Sequence, residues 1–268
     1  MFSLVERVAV VTGGTGAIGG AIAEGLARAG ARVIVIARHV ESLPPLEHAS
    51  AGLEDATVVA VKADVLDRES LESARDAIVA ELGELHILVN CAGGNLPAAT
   101  LLDDDSPFEL APDALREVVD FNLLGTVLPV QVFGQAMPPA GDCSIVNISS
   151  MAAGRALTRV GAYGAAKAAV ESYTRWLAVE LARRHSGIRV NAIAPGFFVS
   201  KQNRSLLLRD DGELTDRGAR IIQQTPLERF GEPEDLVTTA IWLVSDGSRF
   251  VTGVVVPVDG GFSAFAGV

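Results

Sequence analysis

Arg7–Gly19 reads RVAVVTGGTGAIG. The valine-rich run Arg7–Thr12 passes directly into the turn Thr12-Gly13-Gly14-Thr15-Gly16-Ala17-Ile18-Gly19, and Ala17–Ala29 then carries apolar residues at helical spacing. Glycines let such a turn fold tightly and let backbone approach a pyrophosphate closely. The first turn of the following helix adds unpaired N–H groups and a partial positive charge. A glycine-rich turn alone is equally served by a plain tight turn. With a strand before it and a helix behind it, dinucleotide binding is the stronger reading, through Gly13, Thr15, Gly16, Ala17, Ile18 and Gly19.

The same alternation continues along the chain. Arg32–Ala37 (RVIVIA), Thr57–Val61 (TVVAV), Leu85–Val89 (LHILV), Ser144–Ile148 (SIVNI), Ile188–Ile193 (IRVNAI) and Val254–Val258 (VVVPV) are continuous apolar runs, the pattern of strands buried on both faces. Helical patterns near 67–82, 112–137, 160–184 and 233–245 fall between most of them. With right-handed crossovers, this predicts an α/β fold: a doubly wound parallel sheet (Rossmann) of about seven strands with helices on both faces. No linker or low-complexity stretch divides residues 1–268, so a single dinucleotide-binding catalytic domain is expected. Ala92–Pro112 and Pro195–Pro226 are long and irregular, and each follows the carboxyl end of a strand, where ligands bind in open α/β sheets. The second, about 195–226, is expected to be the substrate loop.

With 49% apolar and 21% charged residues the chain is globular in composition, not disordered. Its net charge of −11 counts against nucleic acid or an anionic membrane as partner, though not against a small anion held by one local cation. No apolar run approaches the roughly 20 residues of a membrane span. Met1–Arg7 has no signal-peptide pattern, and a cytoplasmic protein is expected. Cys91 and Cys143 read as buried free thiols. His39, His48, His86 and His185 lack ligand spacing and Asp103–Asp105 reads as a solvated loop, so no metal site is expected.

Tyr163 and Lys167 lie four residues apart within the helical pattern and share a face. An ammonium beside a phenol stabilises the phenolate and lowers its pKa from about 10, making a general acid or base usable near neutral pH. Such pairs are common in helices for structural reasons. Ser150, thirteen residues upstream and just past the run ending at Ile148, adds a hydroxyl at a strand's carboxyl end. At the end of the second run, Ile36-Ala37-Arg38-His39 has a guanidinium where an NAD site usually has a carboxylate. Arg38 suits a 2′-phosphate through paired hydrogen bonds, which favours NADP(H) and leaves NAD(H) as the alternative; a solvated surface arginine is the competing reading.

In order and spacing, the chain resembles the single-domain short-chain dehydrogenases/reductases from end to end. The matching pieces are the Thr12–Gly19 turn, Asp64-Val65, Asn90-Cys91-Ala92-Gly93, Asn122, Ser150, Tyr163-Gly-Ala-Ala-Lys167, Pro195-Gly196 and Asp259-Gly260-Gly261. Gly16-Ala17 stands where Ser/Gly-Gly is commoner, and Cys91 where the family usually has Asn or another small residue. The resemblance implies an NAD(P)-dependent oxidoreductase interconverting a ketone and a secondary alcohol. In it Tyr163 would exchange the proton with the substrate oxygen, and Ser150 would hydrogen-bond that oxygen. Lys167 would hold the nicotinamide ribose and tune Tyr163, while Asn122 would anchor a relay water, with a helix kink as its plainer role. Asp64 and Val65 would contact the adenine, and Asn90, Ala92 and Gly93 would line the cofactor ribose. The backbone from Pro195-Gly196 to Phe198 would hold the carboxamide.

Within the family, Cys91–Pro97, Phe121–Thr126, Ser149–Met151, Ala194–Arg204, Asp211–Gly218 and Val254–Val268 look like the D-mannonate oxidoreductase (fructuronate reductase) subgroup. That implies D-fructuronate and D-mannonate as the substrate pair. Arg204 would then pair with the carboxylate. The amides of Asn95, Gln202 and Asn203 would serve the hydroxyls, beside Ser150 and Met151. A surface ion pair for Arg204 and a solvated helix start or cap for Gln202 and Asn203 are the plainer alternatives; Arg155 and Arg159, between Ser150 and Tyr163, are in reach of the mouth, with a surface role the favoured reading. Another polyol, a 3-oxoacyl thioester or a xenobiotic ketone stays open as substrate, and a non-catalytic dinucleotide-binding sensor is the remote alternative. The resemblance also implies a homotetramer (or dimer), with the apolar tail Phe262, Phe265 and Val268 expected to pack on a neighbouring subunit.

Overall fold

The strands of the computed structural model are β1 (Val8–Thr12), β2 (Arg32–Ala37), β3 (Val58–Lys62), β4 (Ile87–Asn90), β5 (Cys143–Ile148), β6 (Ile188–Pro195) and β7 (Val255–Val258). The structure describes residues 2–45, 58–102, 104–139, 142–200 and 203–267. The strands form one parallel sheet in the order β3-β2-β1-β4-β5-β6-β7. Each apolar run of the sequence holds one of them.

The helices are α1 (Ala17–Arg28), α2 (Arg68–Leu82), α3 (Pro112–Val119), α4 (Gly125–Phe133), α5 (Gly161–Arg183), α6 (Arg204–Leu207), α7 (Asp216–Gln223) and α8 (Val237–Val244). Successive strand residues point to opposite faces, and both faces are covered. Val8, Val10, Ile34, Ile36, Leu88 and Ile145 pack with Leu71 and Ile78 of α2, Phe133 of α4 and Leu177 of α5. Ala9, Val11, Val33, Val35, Val89 and Val146 pack with Ile22 and Leu26 of α1 and Leu243 of α8. That double burial is why the runs are continuously apolar. Among the described residues, no helix is long and apolar enough to cross a membrane.

Strand order reverses around β1, which lies between β2 and β4. The chain leaves β1 and β4 in opposite directions there, opening a crevice at their carboxyl ends. Two regions differ from the sequence expectation. The helix read at 112–137 is broken by a π-helical segment at Asp120–Leu124 and ends in a 3₁₀ turn at Gly134–Ala136. The irregular loop 195–226 contains a small helical hairpin. Its arms, α6 and α7, are joined through a Leu208–Leu214 bridge and a turn at Gly212, where φ is +87°.

Candidate active site

The glycine turn lies in the crevice. Gly13 has φ +67°, and a Cβ there would sit 2.8 Å from Ala92 N; its own N–H donates to Ile36 O at 2.8 Å. A Cβ on Gly19 would collide with Gly13 O. Gly16 caps α1 without a side-chain bond, so the N–H groups of the first turn are not taken by a capping side chain. Thr15, Gly16 and Ala17 are exposed beside them, with Ile18 half-buried. A turn stripped of side chains against an uncapped helix start fits a dinucleotide phosphate.

The other expected cofactor residues follow neighbouring strand ends. Arg38 is exposed just past β2, its guanidinium 6.0 Å from the Phe121 ring centre. Asp64 follows β3 and accepts from Leu66 N at 3.0 Å, beside buried Val65. Asn90 is buried in β4 and donates to Asn147 Oδ1 at 2.9 Å, while its Oδ1 has no partner among the described residues. Ala92 N donates to Thr12 Oγ1 at 3.3 Å. Past Pro195, Gly196 N donates to Val258 O at 3.0 Å, and a Cβ on Gly196 would lie 2.7 Å from Asp259 Cα. Phe198 is buried against Gly231.

Ser150, Tyr163 and Lys167 meet where β5 ends. Ser150 is 7% exposed and opens the 3₁₀ turn Met151–Ala153, its Oγ accepting from Ala152 N at 3.2 Å. Tyr163 lies in the first turn of α5, is hydrogen-bonded with Ser150 and packs on Ala99, Ala114 and Val118. One turn on, Lys167 is 4% exposed; its Nζ donates to Ile148 O at 2.7 Å and stands 5.7 Å from the Tyr163 ring centre. Burial lowers the Lys167 ammonium to about 8, with Cys91 acting weakly the other way. Burial also pushes Cys91 up to about 12, so its thiol stays neutral.

The phenol departs from the sequence expectation. Burial raises the Tyr163 pKa, and the Ser150 hydrogen bond pulls against that rise without reversing it. Lys167 contributes no lowering there, because it titrates at about 8 and is already neutral where the phenol ionises.

Asn122 occupies the π-helical segment. Its Nδ2 donates to Gly94 O and Val118 O, each at 2.8 Å, and its Oδ1 accepts from Gly94 N at 3.0 Å. A Cβ on Gly93 would lie 2.7 Å from Asn122 Oδ1 and 3.2 Å from Lys167 Nζ, so both side chains approach the same glycine. The kink and the placement beside Lys167 therefore coexist at Asn122.

The expected substrate residues divide. Met151 is buried next to Ser150. Arg204 is exposed at the start of α6, without an ion pair to a described residue. Asn203 engages both ends of its amide within its own loop, accepting from Ser200 N and donating to Phe198 O, each at 2.8 Å. Asn95 donates to Thr100 Oγ1 at 2.7 Å, while its buried Oδ1 is unpartnered among the described residues. Gln202 lies outside the described residues, as do Val268, His48 and Asp103. Phe262, partly buried, packs edge-on against Phe197 of its own chain, with ring centres 5.2 Å apart.

Sequence reasoning missed two contributors. Ser149 Oγ donates to Glu171 Oε1 at 3.0 Å, bracing the strand end that carries Ser150; its place directly before Ser150 was a signal. The Ile148 carbonyl that holds Lys167 is backbone and leaves no signal. Among the described residues no cluster of three or more His, Cys, Asp or Glu could hold a metal ion.

The family model described as enoyl-(acyl carrier protein) reductase matches residues 14–263. The chain is 44% identical over 277 residues to the uncharacterized oxidoreductase UxuB of Bacillus subtilis (strain 168), covering 99% of this chain and 98% of that protein. A provisionally named D-mannonate oxidoreductase from Haemophilus influenza, solved with bound NAD, matches with TM-score 0.88 and 38% identity over 99% of this chain and 98% of that one. A provisionally named NAD(P)-dependent gluconate 5-dehydrogenase from Beutenbergia cavernae, with NADP at low occupancy, matches with TM-score 0.81 and 37% identity over 98% of this chain and 99% of that one.

Proposed function

This chain belongs to the short-chain dehydrogenase/reductase family and is an NAD(P)-dependent oxidoreductase, and from that premise we propose that it interconverts the ketone and the secondary alcohol of a sugar acid, D-fructuronate and D-mannonate. The observation that carries the reading is the meeting of Ser150, Tyr163 and Lys167 beside the glycine turn. In the reducing direction Ser150 holds the substrate's carbonyl oxygen and Tyr163 gives it a proton. Lys167, charged below about 8, faces the same site and favours the phenolate that remains. Asn122 holds the Gly94 backbone on the Lys167 side and anchors the relay water. A bound nicotinamide dinucleotide supplies or accepts the hydride. The protein's part is orientation and electrostatics.

Gly13, Thr15, Gly16, Ala17, Ile18 and Gly19 hold the pyrophosphate in this reading, Asp64 and Val65 the adenine, and Asn90, Ala92 and Gly93 the ribose. The Pro195–Phe198 backbone holds the carboxamide. Arg38, with no carboxylate beside it at the end of β2, favours NADP(H) over NAD(H). The sugar-acid assignment draws on the mannonate and gluconate names of the relatives and on exposed Arg204 at the substrate loop, which has no ion pair among the described residues. One domain spanning 1–268, assembled as a homotetramer (or dimer) in the cytoplasm, completes the proposal.

The test is oxidation of NADPH and NADH by the purified protein with D-fructuronate, D-fructose or an acetoacetyl thioester. Turnover on fructuronate that falls far more in Arg204→Ala than in Lys201→Ala supports the assignment. Turnover confined to the thioester or the neutral ketose discards the sugar acid and keeps the reductase.

A further inference from the structure

The segment after β7 crosses from one wall of the site to the other. Asp259 fixes its start: Oδ1 accepts from Gly261 N and Oδ2 from Ser263 N, each at 2.9 Å. The segment is then seated on the substrate-loop side. Leu227 N donates to Gly260 O at 3.1 Å, and Phe262 stacks edge-on with Phe197. On the opposite side it meets Arg155, whose Nε donates to Ser263 O at 3.0 Å and whose Nη2 donates to the same oxygen.

Arg155 closes the turn that Ser150 opens. Ala153 N donates to Ser150 O at 3.0 Å, and Arg155 N to Met151 O at 3.0 Å. One end of this turn is thus fixed by β5 and the other by a two-pronged guanidinium bond to a carbonyl that Asp259 and Phe262 hold in place. A lysine has the charge but not the planar fork for this contact.

We propose that Arg155 is a positioning residue: through Ser263 it clasps the Ser150 turn to the tail and the substrate loop, and so sets where Ser150 meets the substrate oxygen. The effect on turnover rests on the oxidoreductase reading above; the clasp itself does not.

The test uses four variants of the full-length protein: Arg155→Ala, Arg155→Lys, removal of residues 263–268, and the first and third combined. Hydrogen exchange at the amides of residues 152–155 reads the clasp directly. About tenfold faster exchange is expected in Arg155→Ala and in the shortened chain, as loss of a charged hydrogen bond would give. The combined variant should be no faster than either, because both break one link. In the ketone assay, kcat/KM is expected to fall about tenfold in the same three proteins, with Arg155→Lys between them and wild type. Dinucleotide affinity, followed by fluorescence, should stay within about twofold.

Unchanged exchange in Arg155→Ala overturns the proposal. So do additive effects in the combined variant, or faster exchange spread through the whole sheet. Exchange that behaves as expected in a protein that reduces no carbonyl would leave the clasp standing and sink the proposed reaction instead.

Discussion

Lys167 carries an ammonium where burial opposes charge, and the pH dependence of stability should show it. Its folded value of about 8 lies below the roughly 10.4 of an unfolded lysine. Between those values the unfolded chain binds the extra proton, so this residue makes stability rise with pH across that window. Below about 8 the desolvation cost stands in full, on the order of 3 kcal/mol for a shift of that size. Because buried Cys91 and Cys143 pull the other way above about pH 9, the reading is relative: denaturant unfolding at pH 7, 8, 9 and 10 should show wild type gaining stability against Lys167→Met as pH rises; parallel curves would refute it. Tyr163 makes the complementary case. Tyr163→Phe keeps the ring against Ala99, Ala114 and Val118 and removes only the hydroxyl. Turnover should drop about 1,000-fold, within the range for a lost general acid, while titration finds dinucleotide affinity unchanged. Retained turnover would move the proton donor elsewhere.

Between elements, one strand residue governs how a helix ends. Arg189 of β6 donates to Leu243 O at 2.9 Å, Ser245 O at 3.2 Å and Ser248 Oγ at 2.8 Å, collecting the carbonyl end of α8. Arg189→Leu leaves Leu243 O to Ser144 Oγ and Ser248 Oγ, and Ser245 O to Ser248, so it should cost about 1–2 kcal/mol in urea unfolding, the worth of the lost charged bonds, with the last turn of α8 the first amides to exchange. A loss under about 0.5 kcal/mol would mean water replaces the guanidinium fully. The contrast between this contact and the sheet explains what could be read from sequence. β1, β4 and β5 are buried throughout, so their residues are apolar except Thr12, Asn90, Ser144 and Asn147, whose side chains are hydrogen-bonded inside the fold. The glycine turn was legible because steric limits at Gly13 and Gly19 leave no other residue type. The hairpin of α6 and α7 was hidden because Gly218 sits inside α7, where a Cβ would strike Leu207 O. Its start was nonetheless marked by Thr215, which caps α7 by accepting from Gly218 N at 3.0 Å. A kink at Asn122 was among the sequence readings; its partner Gly94, on another loop, was not legible, because those bonds run to backbone. Loop bonds of this kind were equally hidden: Asn203 uses both ends of its amide within its own loop, while Asn95 donates to Thr100 and keeps its Oδ1 without a partner among the described residues.

For the whole molecule, one surface that burial leaves unfinished lies along α5. That helix packs Val170, Thr174, Leu177 and Ala178 inward. Tyr173, Trp176 and Val179 follow one another at three-residue spacing on a different flank. Trp176 is 56% exposed and Val179 57%, and Tyr173 stacks on Trp176 with ring centres 5.7 Å apart. Leu124, 41% exposed where the π-helical segment meets α4, adds to the exposed apolar surface. A chain of net charge −11 repels its own copies, so association needs a face where apolar burial outweighs that repulsion. A large aromatic at the centre of such a face is the side chain whose loss weakens an interface most. In the oligomer proposed above, Trp176→Glu with Val179→Glu should therefore lower the sedimenting mass to that of a smaller species, and added salt should not restore it, because the lost contact is apolar. The monomer fold should survive, since neither side chain belongs to the core, and the far-ultraviolet circular dichroism should match wild type. An unchanged mass with an intact fold would place self-association on another face, with Phe250, fully exposed ahead of β7, the next to change.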